Sequence, residues 1–458
     1  MARGGGGPLS LFHAHERPAW GLIGLFVAVN GLVLLNAVLH VWRVGYDADR
    51  HLDYIRALAM GRLPLGRDFF DPPLYYILPA AIRAAGAPMA VAAKSAQLIN
   101  VACSVAVTYG LLRLCDLTRA GDLLLKTVAL GLLGMLPVYY KTFAFVRPEP
   151  LLAALTVLAT YQVARLALGG SAGPGPLTLL GLVLGLMLLT RQQGLFLALG
   201  ATAFLAGALR RRSGTRAAVV AVAVVAATAL ATSGWYYLHL ARGVHGTPAA
   251  FNRPLQHFAL SNKPLEFYVG LGLPDVFRDP VRPAFDRQVL PKFYSELWGD
   301  HSWYFLVYKG IRMPDGRVVP LTNRPTMGPY LGRVNVVSLL PSAVLLAGIA
   351  LGGGRLWRLL RRRDRAEAAT VTLALAHLLV AVSVAAYGVF LVVVPEKDGD
   401  TIKASYLVQL APLVALLAAE PLRRLRDRSP RGFAFLVGAL VLVGLHNSGA
   451  YVTRYTPF

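Results

Sequence analysis

Long apolar runs constrain this chain more than any other feature. A helix rising about 1.5 Å per residue needs roughly 20 apolar residues to cross a hydrocarbon layer about 30 Å thick. Eleven segments approach or meet that requirement: 19–42, 95–112, 124–141, 149–168, 176–190, 194–209, 217–239, 334–353, 369–394, 405–420 and 432–450. The fifth and sixth are short and are expected to kink or re-enter around Arg191-Gln192-Gln193. Of the 458 residues, 56% are hydrophobic and only 15% charged, against about 25% charged in an ordinary soluble domain. The expected fold class is therefore an all-α integral membrane protein of about eleven transmembrane helices. Interfacial helices are expected in the first external loop, and a long loop precedes span 8.

The formal charge of +23 does not point to nucleic acid, because many basic residues sit in short loops between spans. Arg210-Arg211-Arg212, Arg361-Arg362-Arg363 and Arg423-Arg424 with Arg426 all face the cytoplasm if the N-terminus does, as the positive-inside rule requires. The odd number of spans then leaves the C-terminus outside. Sixteen of the 23 acidic residues fall on the external side and seven inside. Residues 1–18 read as a cytoplasmic tail. Ala19–Trp42 is too long for a signal-peptide core and lacks a small-residue cleavage site, so it reads as a retained anchor. The expected organisation is a transmembrane catalytic module over 19–239 with external loop 43–94, an external loop or lid over 240–333, and a C-terminal transmembrane module over 334–458. Cys103 and Cys115 both lie in or beside a span, which argues against a disulfide and against a cysteine metal cluster. The alanine-, arginine-, glycine- and leucine-rich composition suggests a bacterial plasma membrane.

Acidic residues gather just after the first span, in Tyr46-Asp47-Ala48-Asp49-Arg50-His51. Leu52, Ile55 and Ala59 recur at helical spacing while Asp49, Asp53 and Arg56 share another face, so 48–60 reads as an amphipathic helix with Asp47 at its N-cap and Gly61 as its stop. Asp71-Pro72-Pro73-Leu74-Tyr75-Tyr76 then reads as a turn feeding a second interfacial helix, its tyrosines at headgroup depth. An N-cap aspartate is common and needs no catalytic role. Several carboxylates and a histidine in one loop against a membrane wall are less ordinary.

This region resembles the glycosyltransferase C superfamily. The likeness rests on Asp47-Ala48-Asp49 after the first span, Tyr54-Ile55 in the following helix, the Gly-Arg-Leu-Pro turn at 61–64, and Asp68-Phe69-Phe70-Asp71-Pro72-Pro73-Leu74-Tyr75-Tyr76. Protein O-mannosyltransferases and lipid A aminoarabinose transferases look similar here. Many relatives have Asp-Glu where this chain has Asp47-Ala48, so Asp49 stands as the alternative second carboxylate, and either could be the base. No C-terminal soluble domain is expected, since only Tyr451–Phe458 follows the last span.

The resemblance implies a polyprenyl-phosphate-linked sugar donor and a glycolipid, cell-wall glycan or protein acceptor. Asp47 or Asp49 would take the acceptor proton during an inverting attack on the anomeric carbon, through a transition state like that of glycoside hydrolysis. External cations Arg147, Arg191, Lys397 and Lys403 are candidates for the donor phosphate, with Lys141 also in an external turn. Arg147 could instead pair with Glu149. His51, Asp68, Asp71, Tyr75, Glu149, Gln192, Trp298 and Trp303 are candidates for binding substrate, the two tryptophans by stacking on sugar or, equally, by forming an aromatic belt. Neither Glu296, Asp300 and His301 nor Asp47, Asp49 and His51 has strong metal-ligand spacing, so no metal or other cofactor is expected. The rival class is a transporter or flippase of lipid-linked sugars. Such a protein should show paired repeats and a polar site at mid-bilayer, and neither is evident.

Overall fold

A computed structural model of the protein describes residues 12–453 except 15–16, 66–68, 70, 171, 244–254, 307–308, 313–317, 322–323, 362–366 and 395–398. It is built from helices. Long ones are α1 (Trp20–Leu39), α4 (Met89–Thr118), α7 (Glu149–Ala167), α9 (Gly194–Ser213), α10 (Thr215–Gly243), α15 (Leu339–Arg361), α16 (Ala368–Val393), α17 (Ala411–Arg428) and α18 (Pro430–His446). Shorter ones are α2 (Ala48–Ala59), α3 (Leu74–Ala84), α5 (Leu123–Gly134), α6 (Pro137–Ala144), α8 (Pro174–Leu188), α11 (Leu265–Val269), α12 (Asp275–Arg278), α13 (Val289–Trp298) and α14 (Arg324–Val337). The strands form two antiparallel ribbons, His13–Ala14 with Arg17–Pro18 and Lys309–Arg312 with Val318–Leu321.

Among the described residues, nine helical segments are long and apolar enough to span a membrane. The pair α5 and α6, bent by 64°, makes a tenth. The remaining expected span, 176–190, corresponds to α8, which at 15 residues is shorter than a typical crossing. The protein is thus an integral, multi-pass membrane protein. The 124–141 segment, expected as one span, breaks before Pro137, whose ring opens α6 and forbids continuation of α5.

Small residues let helices approach closely. At Gly181 of α8 an added Cβ would lie 2.6 Å from the Thr228 Cβ and 2.7 Å from the Val225 carbonyl oxygen of α10. Tight contacts of this kind hold membrane helices together where lipid supplies no hydrophobic drive. Gly181→Ala should therefore lower the unfolding free energy by about 1–3 kcal/mol, the usual cost of overpacking, read by thermal unfolding in detergent. An unchanged midpoint would mean the contact yields without cost.

Buried polar ties aim the loops at one end of the bundle. Asn30 of α1 accepts from Ser104 at 2.8 Å and donates to Thr108 at 3.0 Å, both on α4. The Lys94 ammonium donates to the carbonyls of Ala37, Val38 and His40, closing the C-terminus of α1. Asn36 and Thr453 exchange a further contact at 2.8 Å, and the His40 ring bonds Thr453 at 2.8 Å. The chain leaving α1 is thereby fixed where it turns into Tyr46 and Asp47.

Candidate active site

Helix α2 matches the amphipathic reading of 48–60, burying Leu52, Tyr54 and Ile55 against α3 and the alanines Ala92, Ala93 and Ala96 of α4. It stops where expected: Gly61 adopts φ +72°, and the Arg62 amide bonds the Ala57 carbonyl at 3.0 Å. Asp47 stands at the N-cap position but its side chain does not cap. It lies in the left-handed region at φ 54°, ψ 28°, which aspartate tolerates better than most residues. The carboxylate instead accepts from Lys403 Nζ at 2.8 Å. Tyr75 and Tyr76, expected at headgroup depth, are buried inside the protein. The reason is polar pairing: the Tyr75 hydroxyl donates to the Ala96 carbonyl at 3.1 Å and accepts the Arg147 amide at 3.1 Å.

Lys403 arrives from the turn before α17. Tyr387 on α16 holds that turn, donating its hydroxyl to the Thr401 carbonyl and accepting the Lys403 amide, each at 2.9 Å. The Lys403 ammonium lies 5.0 Å from the Tyr46 ring centroid and 5.5 Å from that of Tyr406, a cation–π setting that favours its charge. Burial works to raise the Asp47 carboxyl, but the Lys403 ammonium outweighs it and holds Asp47 well below the usual carboxylate range. For Lys403 burial opposes the charge, yet Tyr406 and Asp47 lift its pKa above the ordinary lysine value.

Beside this pair is a polar cavity of about 40 Å³. Tyr46 and Asp47 form one wall, Asp400 and Lys403 another, and the 240–333 segment covers it with Arg282, Lys292, Ser302 and Tyr304. Arg282 donates to Asp286 at 2.9 Å and to Asp400 at 2.8 Å, tying the covering segment to the turn before α17. Lys292 donates to Asp286 at 2.9 Å. A second tie is wholly buried. Lys141 of α6 pairs with Glu296 of α13, which also accepts from the Tyr46 hydroxyl and from Ser302 Oγ at 2.6 Å. Burial works to raise Glu296, and the Lys141 ammonium brings it down to about 2.

Behind Asp47 is a ladder of alternating charge. Gln97 and Asn100 of α4 donate to the carbonyls of Ala144 and Phe145, each at 2.6 Å, which fixes the turn carrying Arg147. Arg147 holds Glu149 through two nitrogens and reaches Ser405 Oγ at 3.0 Å. Arg191, between α8 and α9, binds the same Glu149 at 2.7 Å and lies 3.4 Å from Asp71. Tyr76 donates to Asp71 at 3.3 Å and shares a 2.6 Å hydrogen bond with His51. Burial pushes the His51 imidazole down to about 4, so it is neutral at pH 7. Burial also raises the Asp71 carboxyl, opposed only in part by Arg191.

The structure thus brings together Asp47, Lys403, His51, Asp71, Tyr75, Arg147, Glu149 and Arg191. Asp49 is exposed on α2, and Gln192 is half-buried in the turn beside Arg191. Asp68 and Lys397 lie outside the described residues. The expected sugar-stacking tryptophans differ. Trp298 is fully enclosed, its indole donating to Ser342 at 2.8 Å, and Trp303 is buried in the hydrophobic core. Their neighbour Tyr304 lines the cavity instead. Sequence reasoning also missed Tyr46, Arg282 and Lys292. Only the Arg282–Asp286 spacing, i to i+4, carried a local hint of pairing.

Comparison with solved structures defines the fold. The oligosaccharyltransferase of Archaeoglobus fulgidus, in complex with zinc and sulfate, matches with TM-score 0.52 at 15% identity, over 94% of this chain and 54% of its own. The same protein tethered to an acceptor peptide containing the NVT sequon gives 0.51 at 13% identity, over 96% of this chain and 56% of its own. ArnT from Cupriavidus metallidurans in the apo state gives 0.49 at 17% identity, over 93% and 63%. The chain shares the fold of the Archaeoglobus fulgidus oligosaccharyltransferase, and it spans between about half and two thirds of the length of these proteins. No protein-family model matches the sequence, and no curated protein matches it significantly.

Proposed function

We propose that the protein is an inverting glycosyltransferase that moves a sugar from a polyprenyl-phosphate donor to a glycolipid, cell-wall glycan or protein acceptor. The observation that carries this reading is the Asp47–Lys403 pair opening on a polar cavity at one end of the bundle. In this reading 19–239 is the catalytic module, 240–333 its cover and 334–458 the module that delivers Lys403. The cavity faces the external side of a bacterial plasma membrane, with the N-terminus cytoplasmic.

Asp47 is the general base. The acceptor oxygen or nitrogen attacks the anomeric carbon, its proton passes to Asp47, and the bond from that carbon to the phosphate oxygen breaks to release polyprenyl phosphate. Lys403 is the phosphate contact. While it grips Asp47 the carboxylate is a weak base, because its pKa is held low. A donor phosphate that draws Lys403 away restores basicity as the substrate arrives, so one lysine couples binding to activation. Lys397, six residues before Lys403 in the sequence, is a further phosphate candidate. Arg147 and Arg191 both pair with Glu149, and Arg191 also stands 3.4 Å from Asp71; with His51 and Tyr75 they hold the wall behind Asp47, and the Arg191 Nε, which has no hydrogen-bond partner among the described residues, keeps this residue a second candidate for the donor phosphate. Aromatic stacking on the sugar falls to Tyr46 or Tyr304.

The testing experiment is turnover. Purified protein in lipid should release polyprenyl phosphate from a matched donor–acceptor pair with inversion at the anomeric centre; retention of configuration would reject the single-base mechanism. The Lys403→Met protein should show about a 10–100-fold rise in donor KM, the equivalent of one hydrogen bond to a charged group. Its acid limb should also move. The wild-type base stays ionised to a pH below the usual carboxylate range because Lys403 stabilises the anion. Without Lys403 the burial effect prevails, the Asp47 pKa rises, and kcat/KM should fall off at higher pH than in wild type. An unmoved acid limb would separate Lys403 from Asp47 functionally.

A further inference from the structure

Three arginines at the other end of the bundle share one buried carboxylate. Arg119 follows α4, Arg355 lies on α15, and Arg424 and Glu420 lie on α17. Glu420 accepts from Arg119 Nη2 at 3.0 Å and from Arg424 Nε at 2.8 Å, and Arg355 Nη2 stands 4.0 Å away. Glu420 is fully buried, and the Arg355 side chain is only 4% exposed. Nearby acids are already committed, Asp122 and Asp427 to Arg423 at 2.7 and 2.6 Å, and Asp116 to Lys126 at 2.8 Å. Counting these, five cations face four carboxylates among the described residues, so one positive charge lacks compensation within the cluster. Arg355 Nη1 is enclosed and has no hydrogen-bond partner.

Topology alone accounts for basic residues in solvated loops. It does not account for a guanidinium buried between helices with one of its nitrogens unpaired, an arrangement that costs free energy unless an anion completes it. Arg119 and Arg424 are one third and two fifths exposed and form the open side. Guanidinium forks match the paired oxygens of a phosphate, and basic pockets between transmembrane helices suit lipid headgroups. Lys403 immediately precedes the helical segment that ends in α17, and Glu420 follows 17 residues later, about 25 Å along by helical rise. The cluster is thus a separate place from the cavity beside Asp47.

We propose that Arg119, Arg355 and Arg424 bind the phosphate of an anionic lipid headgroup, which completes the charge around Glu420 and ties α4, α15 and α17 together. The proposal does not depend on the glycosyltransferase reading. The experiment places the full-length protein in phosphatidylcholine nanodiscs with rising fractions of phosphatidylglycerol and follows the unfolding midpoint. Wild type should be stabilised as the anionic lipid increases. The R119Q/R424Q protein should need about tenfold more of it, the equivalent of about 1.4 kcal/mol. The R426Q/R428Q protein loses the same charge from exposed positions of α17 and should respond as wild type. Arg355→Lys keeps the charge but not the fork, and should weaken the response if R119Q/R424Q cannot be purified. Inorganic phosphate added to pure phosphatidylcholine discs should give little shift. An equal shift from phosphate would overturn the lipid as the source. A wild type indifferent to phosphatidylglycerol, or equal losses in the cluster and control variants, would overturn the site.

Discussion

Asp47→Asn should lose about 10²–10⁴-fold in kcat, the usual contribution of a positioned base, while keeping its fold and its donor affinity within a few-fold. The substitution is nearly isosteric, and Asp47 makes no capping bond that helix α2 would lose. It does release Lys403, which then faces the cavity without its carboxylate partner. Donor affinity should therefore hold or improve even as turnover collapses, and that split marks a base rather than a structural residue. Asp49→Asn is the matched comparison. Asp49 is exposed on α2 and is not among the residues lining the cavity, so its loss should leave kcat within a few-fold of wild type. Steady-state kinetics on both variants checks the assignment; full activity in Asp47→Asn would remove this residue from the mechanism.

Glu149→Gln should lower unfolding free energy by about 3–5 kcal/mol, the cost of removing one partner from a buried ion cluster. Glu149 is fully enclosed and takes both nitrogens of the Arg147 fork as well as Arg191. Its loss leaves two buried guanidinium groups with only Asp71 near one of them. The amide keeps the shape and one acceptor, so the effect isolates charge from volume. Denaturant or thermal unfolding in detergent reads it directly. A change of less than about 0.5 kcal/mol, typical of exposed surface substitutions, would mean the ladder behind Asp47 does not hold the site together.

Local pattern in the sequence reached much of the fold. The helix over 48–60 was legible because its apolar residues repeat at helical spacing and Gly61 supplies the left-handed stop. The break before Pro137 was missed: apolar continuity through 124–141 reads as one span, although the proline that causes the break is a local signal. What stayed hidden depends on residues far apart in the chain. Lys403 meets Asp47 across 356 positions and Lys141 meets Glu296 across 155, and no local pattern encodes either pairing. The tryptophans show the same limit from the other side. An aromatic loop suggests sugar stacking, but whether a ring faces a cavity or a core is settled by packing, and here Trp298 goes to the core while Tyr304 faces the cavity. The acidic loop could suggest a base because clustered carboxylates beside apolar surface are costly without a task. It could not separate Asp47 from Asp49, which differ by burial and by a lysine delivered from the far end of the chain.

The most direct test is a structure of the protein with polyprenyl phosphate bound. The phosphate should sit in the cavity on Lys403, with Lys403 withdrawn from Asp47 and the freed carboxylate facing the position that the anomeric carbon would occupy. Phosphate bound elsewhere, with the Asp47–Lys403 pair intact, would contradict the account.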